Sequence, residues 1–173
     1  MPVVSYASIS DSPPLVAVAC NPDSFTCKLV MKAKAFSLAV LSAKYIPELE
    51  RLATLHGAAV KDKLEAAGLA HGRGEVLPVP VPEAAEAVLE CKVGSARKTG
   101  DHLLVIGLVK AARTTSAFTD AWDFQGYAPV LYTGWEKGLT TYDRRGGPAG
   151  GAGARHGSAP TEGPKRPSRK QNG

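Results

Sequence analysis

The sequence predicts a mainly β domain: an antiparallel, Greek-key-like barrel, closed or partly closed, with short helices inserted. Three observations predict it. About six segments read as strands, and they do not alternate regularly with helices as a parallel sheet requires. Two apolar segments, 87–93 and 103–111, flank the turn-forming run GSARKTGD and read as a long hairpin. Prolines alternate with apolar residues over 78–82, which suits an edge or an extended connection because proline cannot donate to a sheet ladder.

The elements follow in order. PVVSYASIS (2–10) is β-prone and stops at the turn cluster DSPP. LVAVAC (15–20) is a short apolar run of buried-strand type. In 21–34, Asp23 or Ser24 can cap a helix that carries Phe25, Leu29 and Val30 on one face. AFSLAVLSA (35–43) is a second apolar strand. Residues 46–57 form a helix with Pro47 in its first turn and Gly57 as its stop, and 60–70 form another that ends near Gly68. YAPVLYTG (127–134) is the last β segment. Gly and Pro make up 12 of the last 30 residues, so 144–173 is expected to be a disordered tail and 1–143 the folded domain.

The 173 residues suffice for one sizeable core, and 44% of them are hydrophobic. The net charge of +5 would suit a nucleic-acid partner if it lay on the folded surface. It does not. Seven Lys/Arg and one acid fall in 144–173, leaving 14 basic and 15 acidic residues in 1–143, a net of −1. Nucleic acid is therefore disfavoured, although a basic tail is the one feature that would serve an RNA-associated protein. Cys20, Cys27 and Cys91 form no CxxC pair, and an odd count fits a reduced, cytoplasmic protein. No histidine lies at ligand spacing from them, so no metal is expected. No apolar run reaches the length of a membrane span, and the N-terminus lacks the pattern of a signal peptide.

No GxGxxG after a strand, P-loop, GxSxG or HExxH occurs. Two stretches carry chemistry instead. In SYASISDSPP, the hydroxyls of Ser5, Ser8 and Ser10 flank Tyr6 ahead of a Pro-Pro turn. Hydroxyls and free amides at a strand end can hydrogen-bond a phosphate or the edge of a heteroaromatic ring, or they can simply form the wet side of a strand. In GDHLLVIGLV, His102 stands at the mouth of an apolar strand, as a site residue or as a satisfied strand-end histidine.

Taken together, SYASISDSPPLVAVAC, KAKAFSLAVLSA, VKDKLEAAGL, AVLECKVGSARKTGDHLLVIGLV and YAPVLYTG resemble the flavin reductase-like family with the FMN-binding split β-barrel, over roughly residues 2–142. The resemblance implies a homodimer that binds FMN, or FAD, between subunits and takes hydride from NADH or NADPH. The alternatives are a non-catalytic flavin carrier or a degenerate dimeric barrel. By position, Ser5, Tyr6, Ala7, Ser8, Ile9 and Ser10 match the flavin-contacting turn of the family. Ala35 and Phe36 match a segment that lines the flavin, and Lys63 a segment where a cation can meet phosphate or nucleotide. His102 matches the histidine of the GDH motif, beside the flavin and nicotinamide. The resemblance also implies a further strand ahead of the serine block, so the first strand of this chain is expected to be truncated. Trp122, Phe124 and Tyr127 are expected near the dimer interface.

Overall fold

The two apolar runs at the centre of the sequence pair with each other and organise the rest. In the computed structural model, which describes residues 1–118, 126–134, 138–143 and 147–148, they belong to β6 (Ala85–Thr99) and β7 (His102–Thr114). The hairpin turns on Gly100 and Asp101 alone, because Thr99 lies opposite His102. Gly100 has φ +61°, which suits the first position of a tight hairpin turn whose twist matches the flanking strands. Lys and Thr in GSARKT read as turn residues in the sequence. Here they extend the ladder instead, because on an exposed arm polar side chains cost a strand nothing.

Around this hairpin, β1 (Tyr6–Asp11), β2 (Pro14–Cys20) and β3 (Ala35–Leu41) complete a five-stranded sheet of order β1-β2-β7-β6-β3, antiparallel at every pairing. A two-stranded pair, β4 (His71–Arg73) with β5 (Pro80–Pro82), lies beside β3. A third ladder joins β8 (Val130–Tyr132), β9 (Leu139–Asp143) and β10 (Gly147–Pro148). The described residues thus hold ten strands where the sequence predicts about six. The additional ones are two to five residues long and lack apolar alternation. Backbone pairing reaches Pro148, and the remainder of the expected tail, with Trp122 and Phe124, lies outside the described residues.

Three α-helices are present among the described residues. Ser24 caps α1 (Phe25–Ala33) by accepting from the Cys27 N–H at 3.1 Å, and Lys34 ends it in the left-handed conformation at φ +56°. Pro47 opens α2 (Ile46–Thr54), which stops three residues before Gly57. The predicted helix over 60–70 shrinks to α3 (Lys63–Ala66), because Gly68 at φ +88° ends it and the chain then turns into β4.

The core occupies both faces of the sheet. Val18 and Cys20 of β2 and Val105 of β7 bury with Cys27 of α1, so α1 covers one face. Leu41, Leu52, Ala67 and Leu69 join β3 to α2 and α3. Val79, Val81, Ala85 and Val88 seat β5 on β6. Gly107 is required in β7: a Cβ there would fall 2.6 Å from Cζ of Phe36, whose ring lies over the strand.

Candidate functional site

The ladder assigns every residue of β2 and β7 to one of two faces. Val16, Val18 and Cys20 share the core face with Leu103, Val105 and Gly107. Leu15, Ala17 and Ala19 pair with Leu108, Ile106 and Leu104 on the other face, where all six are half-buried. An antiparallel sheet with one face in water normally alternates apolar with polar residues. Here the second face is as apolar as the first, and α1 covers only the core side.

β1 borders this face as an edge strand. Ser8 pairs with Val16 and Ser10 with Leu15, so Ile9 is the extra residue of a bulge. Tyr6 and Ile9 are about half exposed, at 55% and 49%. The carbonyl of Ser5 accepts from the Ala19 N–H at 2.9 Å, and among the described residues the hydroxyls of Ser5, Ser8 and Ser10 have no partner. Edge amides, a bulged amide and free hydroxyls beside small apolar residues form a donor set that fits the polar rim of a flat heteroaromatic ring.

The structure brings some of the predicted residues together and separates others. Ala35 and Phe36 open β3 opposite Lys92 and Cys91, and Lys92 faces Leu108, which faces Leu15 and hence Ser10. Ser10 and Ala35 therefore sit at one level of the sheet, on its two opposite edge strands. Tyr127 is 8% exposed: burial raises its pKa, and Tyr6 of β1 and Glu86 of β6 add to the shift. Lys63 opens α3. Its pKa is lowered by burial, and burial together with the charge of Lys63 depresses the N-terminal amine to about 6. Lys63 has no acidic partner among the described residues, and an open groove of about 500 Å³ runs past it along Val60, Lys61, Asp62, Glu65 and Ala66.

His102 lies elsewhere. It starts β7 one residue beyond the Cys20–Leu103 pair, level with Val3 rather than with Ser8 or Ser10. Five to six residues of ladder and two strand spacings separate it from those serines, roughly 17–20 Å along the strand and about 10 Å across it. Its Nδ1 meets Oδ1 of Asp101 at 2.7 Å. Strand neighbours point to opposite faces, but Asp101 belongs to the turn, which frees its carboxylate to reach back. The hydrogen bond and charge of His102 hold Asp101 below the usual carboxylate range. Nε2 is left without a partner among the described residues.

Two carboxylates outside the predicted set shape the surroundings. Asp62 caps α3, accepting from the N–H groups of Leu64 and Glu65 at 3.0 and 3.1 Å, while its other oxygen meets Nε2 of His71 at 2.7 Å. The Glu65 amide, followed by His71, lowers its pKa. This clamp fixes the turn that bears Lys63 to β4. Glu90, 4% exposed, accepts from the N–H groups of Glu75, Val76 and Leu77 at 2.6, 3.0 and 2.7 Å. Burial pushes its pKa up, but the three amides and Arg113 outweigh it and the net shift is down. A glutamate inside the apolar run AVLEC was the available signal for this buried anchor. Among the described residues no helix is long and apolar enough to cross a membrane.

Comparison with known proteins supplies the remaining observations. The model of the flavin reductase like domain matches residues 1–134. An uncharacterized protein of Aeropyrum pernix is 32% identical over 130 residues, 75% of this chain and 49% of that protein; the chain thus spans about half the length of that relative. The crystal structure of an FMN-binding protein from Thermus thermophilus with bound p-hydroxybenzaldehyde superposes with a TM-score of 0.68 at 27% identity, covering 78% of this chain and 73% of that one. An NADH:FAD oxidoreductase of Streptomyces globisporus gives 0.60 at 28% identity, covering 66% and 67%. The shared fold is the antiparallel split barrel, and these similarities support a flavin-binding, reductase-type role.

Proposed function

The chain belongs to the flavin reductase-like domain family, and on that premise we propose that it is an FMN-binding reductase, with FAD as the alternative flavin, that works as a homodimer with NADH or NADPH as donor. The observation that carries the reading is the pairing of a donor-rich bulged edge with a doubly apolar sheet. Ser10 and the amide at Ile9, with Ser8 on the same edge strand, border a partly buried apolar face of Ala17, Ala19, Leu104, Ile106 and Leu108.

Bound flavin supplies the two-electron chemistry, accepting hydride from the nicotinamide. The chain's own tasks are binding, orientation and exclusion of water. The serine hydroxyls and edge amides hold the polar rim of the ring. Ala35 gives an apolar wall, and Phe36, fixed over Gly107, backs the sheet from the core face. Lys63, partly buried and without an acidic partner among the described residues, faces the flavin phosphate. His102, oriented by Asp101, hydrogen-bonds the nicotinamide amide through Nε2.

The distance between His102 and the serines supports a site shared between subunits. One chain holds the flavin through β1, and the hairpin tip of the other carries His102 toward the same ring. Packing the apolar sheet faces together brings them into register and buries the surface that water would otherwise meet. Three free, buried cysteines suit a reducing compartment such as the cytoplasm. The test is to purify the protein, add FMN, and record its visible spectrum and its mass by light scattering. A flavin-loaded dimer is expected; a colourless monomer would overturn the proposal.

A further inference from the structure

The tip of the β6–β7 hairpin carries more than His102. β3 begins opposite Lys92, so residues 94–99 of β6 run beyond it as an open edge of the sheet, and β2 ends opposite Leu103, so the tip 99–102 projects past both neighbours; together they form an arm. The body of the protein is close to neutral, yet this arm bears Arg97 and Lys98, both exposed. The register separates them. Ala96 and Lys98 pair with Val105 and Leu103, whose side chains belong to the core face. Arg97 pairs with Leu104 and Thr99 with His102, so Arg97, Thr99 and His102 share the outer face, continuous with Leu104 and Ile106.

Arg97 and His102 are diagonal neighbours across the hairpin, with Cβ atoms about 7–8 Å apart. No acid within hydrogen-bonding reach of the Arg97 guanidinium is found among the described residues. An unpaired guanidinium presents a planar fork of donors that matches phosphate oxygens two at a time. One ribose separates a nicotinamide ring from its phosphate in a pyridine dinucleotide, a span comparable to the separation of these two side chains.

We propose that Arg97 holds a phosphate of the pyridine dinucleotide whose nicotinamide meets His102, with the Thr99 hydroxyl between them. This rests on the reductase reading above and adds to it a residue that sets donor affinity. The pyrophosphate, common to NADH and NADPH, is the group nearest in span; the 2′-phosphate is the other source of the same chemistry.

The test compares Arg97→Gln with wild type, using NADH, NADPH and the phosphate-free donor 1-benzyl-1,4-dihydronicotinamide. Lys98→Gln is the control, since it removes the same charge from the opposite face. Arg97→Gln is expected to raise KM for NADH and NADPH about tenfold to a hundredfold, the worth of one or two charge-assisted hydrogen bonds, with kcat little changed. The rate with the phosphate-free donor and the affinity for FMN stay as in wild type, and Lys98→Gln behaves as wild type throughout. Calorimetric titration with NAD+ reads the same loss without turnover. A loss confined to NADPH assigns Arg97 to the 2′-phosphate. An unchanged KM for both dinucleotides, an equal loss with the phosphate-free donor, or an equal loss in Lys98→Gln overturns the assignment while leaving the reductase reading in place. A wild-type protein that oxidises none of the three donors removes both.

Discussion

Replacing Glu90 with glutamine changes one atom and removes one charge, at a position where the structure allows the cost to be worked out. The carboxylate is 4% exposed and accepts three backbone N–H groups, one at Oε1 from Glu75 and two at Oε2 from Val76 and Leu77. Gly74 packs so tightly against it that a Cβ there would lie 2.5 Å from Oε2, so the loop has no slack to rearrange. The glutamine oxygen can still serve Val76 and Leu77, but as a neutral acceptor, at a cost of about 1 kcal/mol for each bond. Its NH2 group then faces the Glu75 N–H, donor against donor, for roughly 1–3 kcal/mol more. Glu90→Gln should therefore destabilise by about 3–5 kcal/mol, which lowers the thermal midpoint of a domain this size by roughly 10–15 °C. The pH dependence has a definite sign. The folded-state pKa of Glu90 lies below its ordinary value, so its contribution is fully present above the ordinary glutamate pKa of about 4.3 and is lost as pH falls through the folded value. Denaturant titrations of both proteins should show a constant gap near neutral pH that closes in acid. A midpoint within about 3 °C of wild type, or a gap that widens in acid, would refute the reasoning.

Two further predictions follow from the site. The double substitution Ser8→Ala, Ser10→Ala should weaken FMN binding by about 1–2 kcal/mol per hydrogen bond lost, read by fluorescence titration; an unchanged curve counts against the bulged edge as the flavin rim. Ile106→Glu places a charge on the apolar outer face without touching the core, so light scattering should report a folded monomer that retains its circular dichroism; a persistent dimer would move the interface elsewhere.

What was legible in the sequence was whatever depends on side-chain pattern. The apolar runs of β2 and β7, the Ser24 cap, Pro47 at the start of α2 and the Gly-Asp turn announce themselves because each serves a local need. The resemblance to the family was legible in the same way, as the order and spacing of its blocks. The rest depends on partners distant in the chain. β4 is the three residues His71–Arg73, a strand only because β5 lies beside it, and no alternation marks it. The arm of β6 reads as a loop because Lys, Arg and Thr are turn-compatible, whereas the ladder to β7 makes them strand. The Asp62–His71 contact joins side chains 9 residues apart, and Glu90 reaches backbone amides 13–15 residues away; neither pairing has a local pattern in the sequence. The separation of His102 from the serines likewise emerges only from register.

The central claim is that His102 acts on a nicotinamide brought to flavin held at the serine edge of another subunit. Stopped-flow reduction of the FMN-loaded dimer by NADH, normalised to bound flavin, tests it most directly when wild type is compared with His102→Ala. Wild type should bleach the flavin band with a rate that saturates in NADH. The variant should keep its FMN affinity and its dimeric mass while the limiting rate falls about tenfold to a hundredfold, roughly 1.4–2.7 kcal/mol of transition-state stabilisation. An undiminished rate in the variant would contradict the account and return His102 to the role of a strand-end residue held by Asp101.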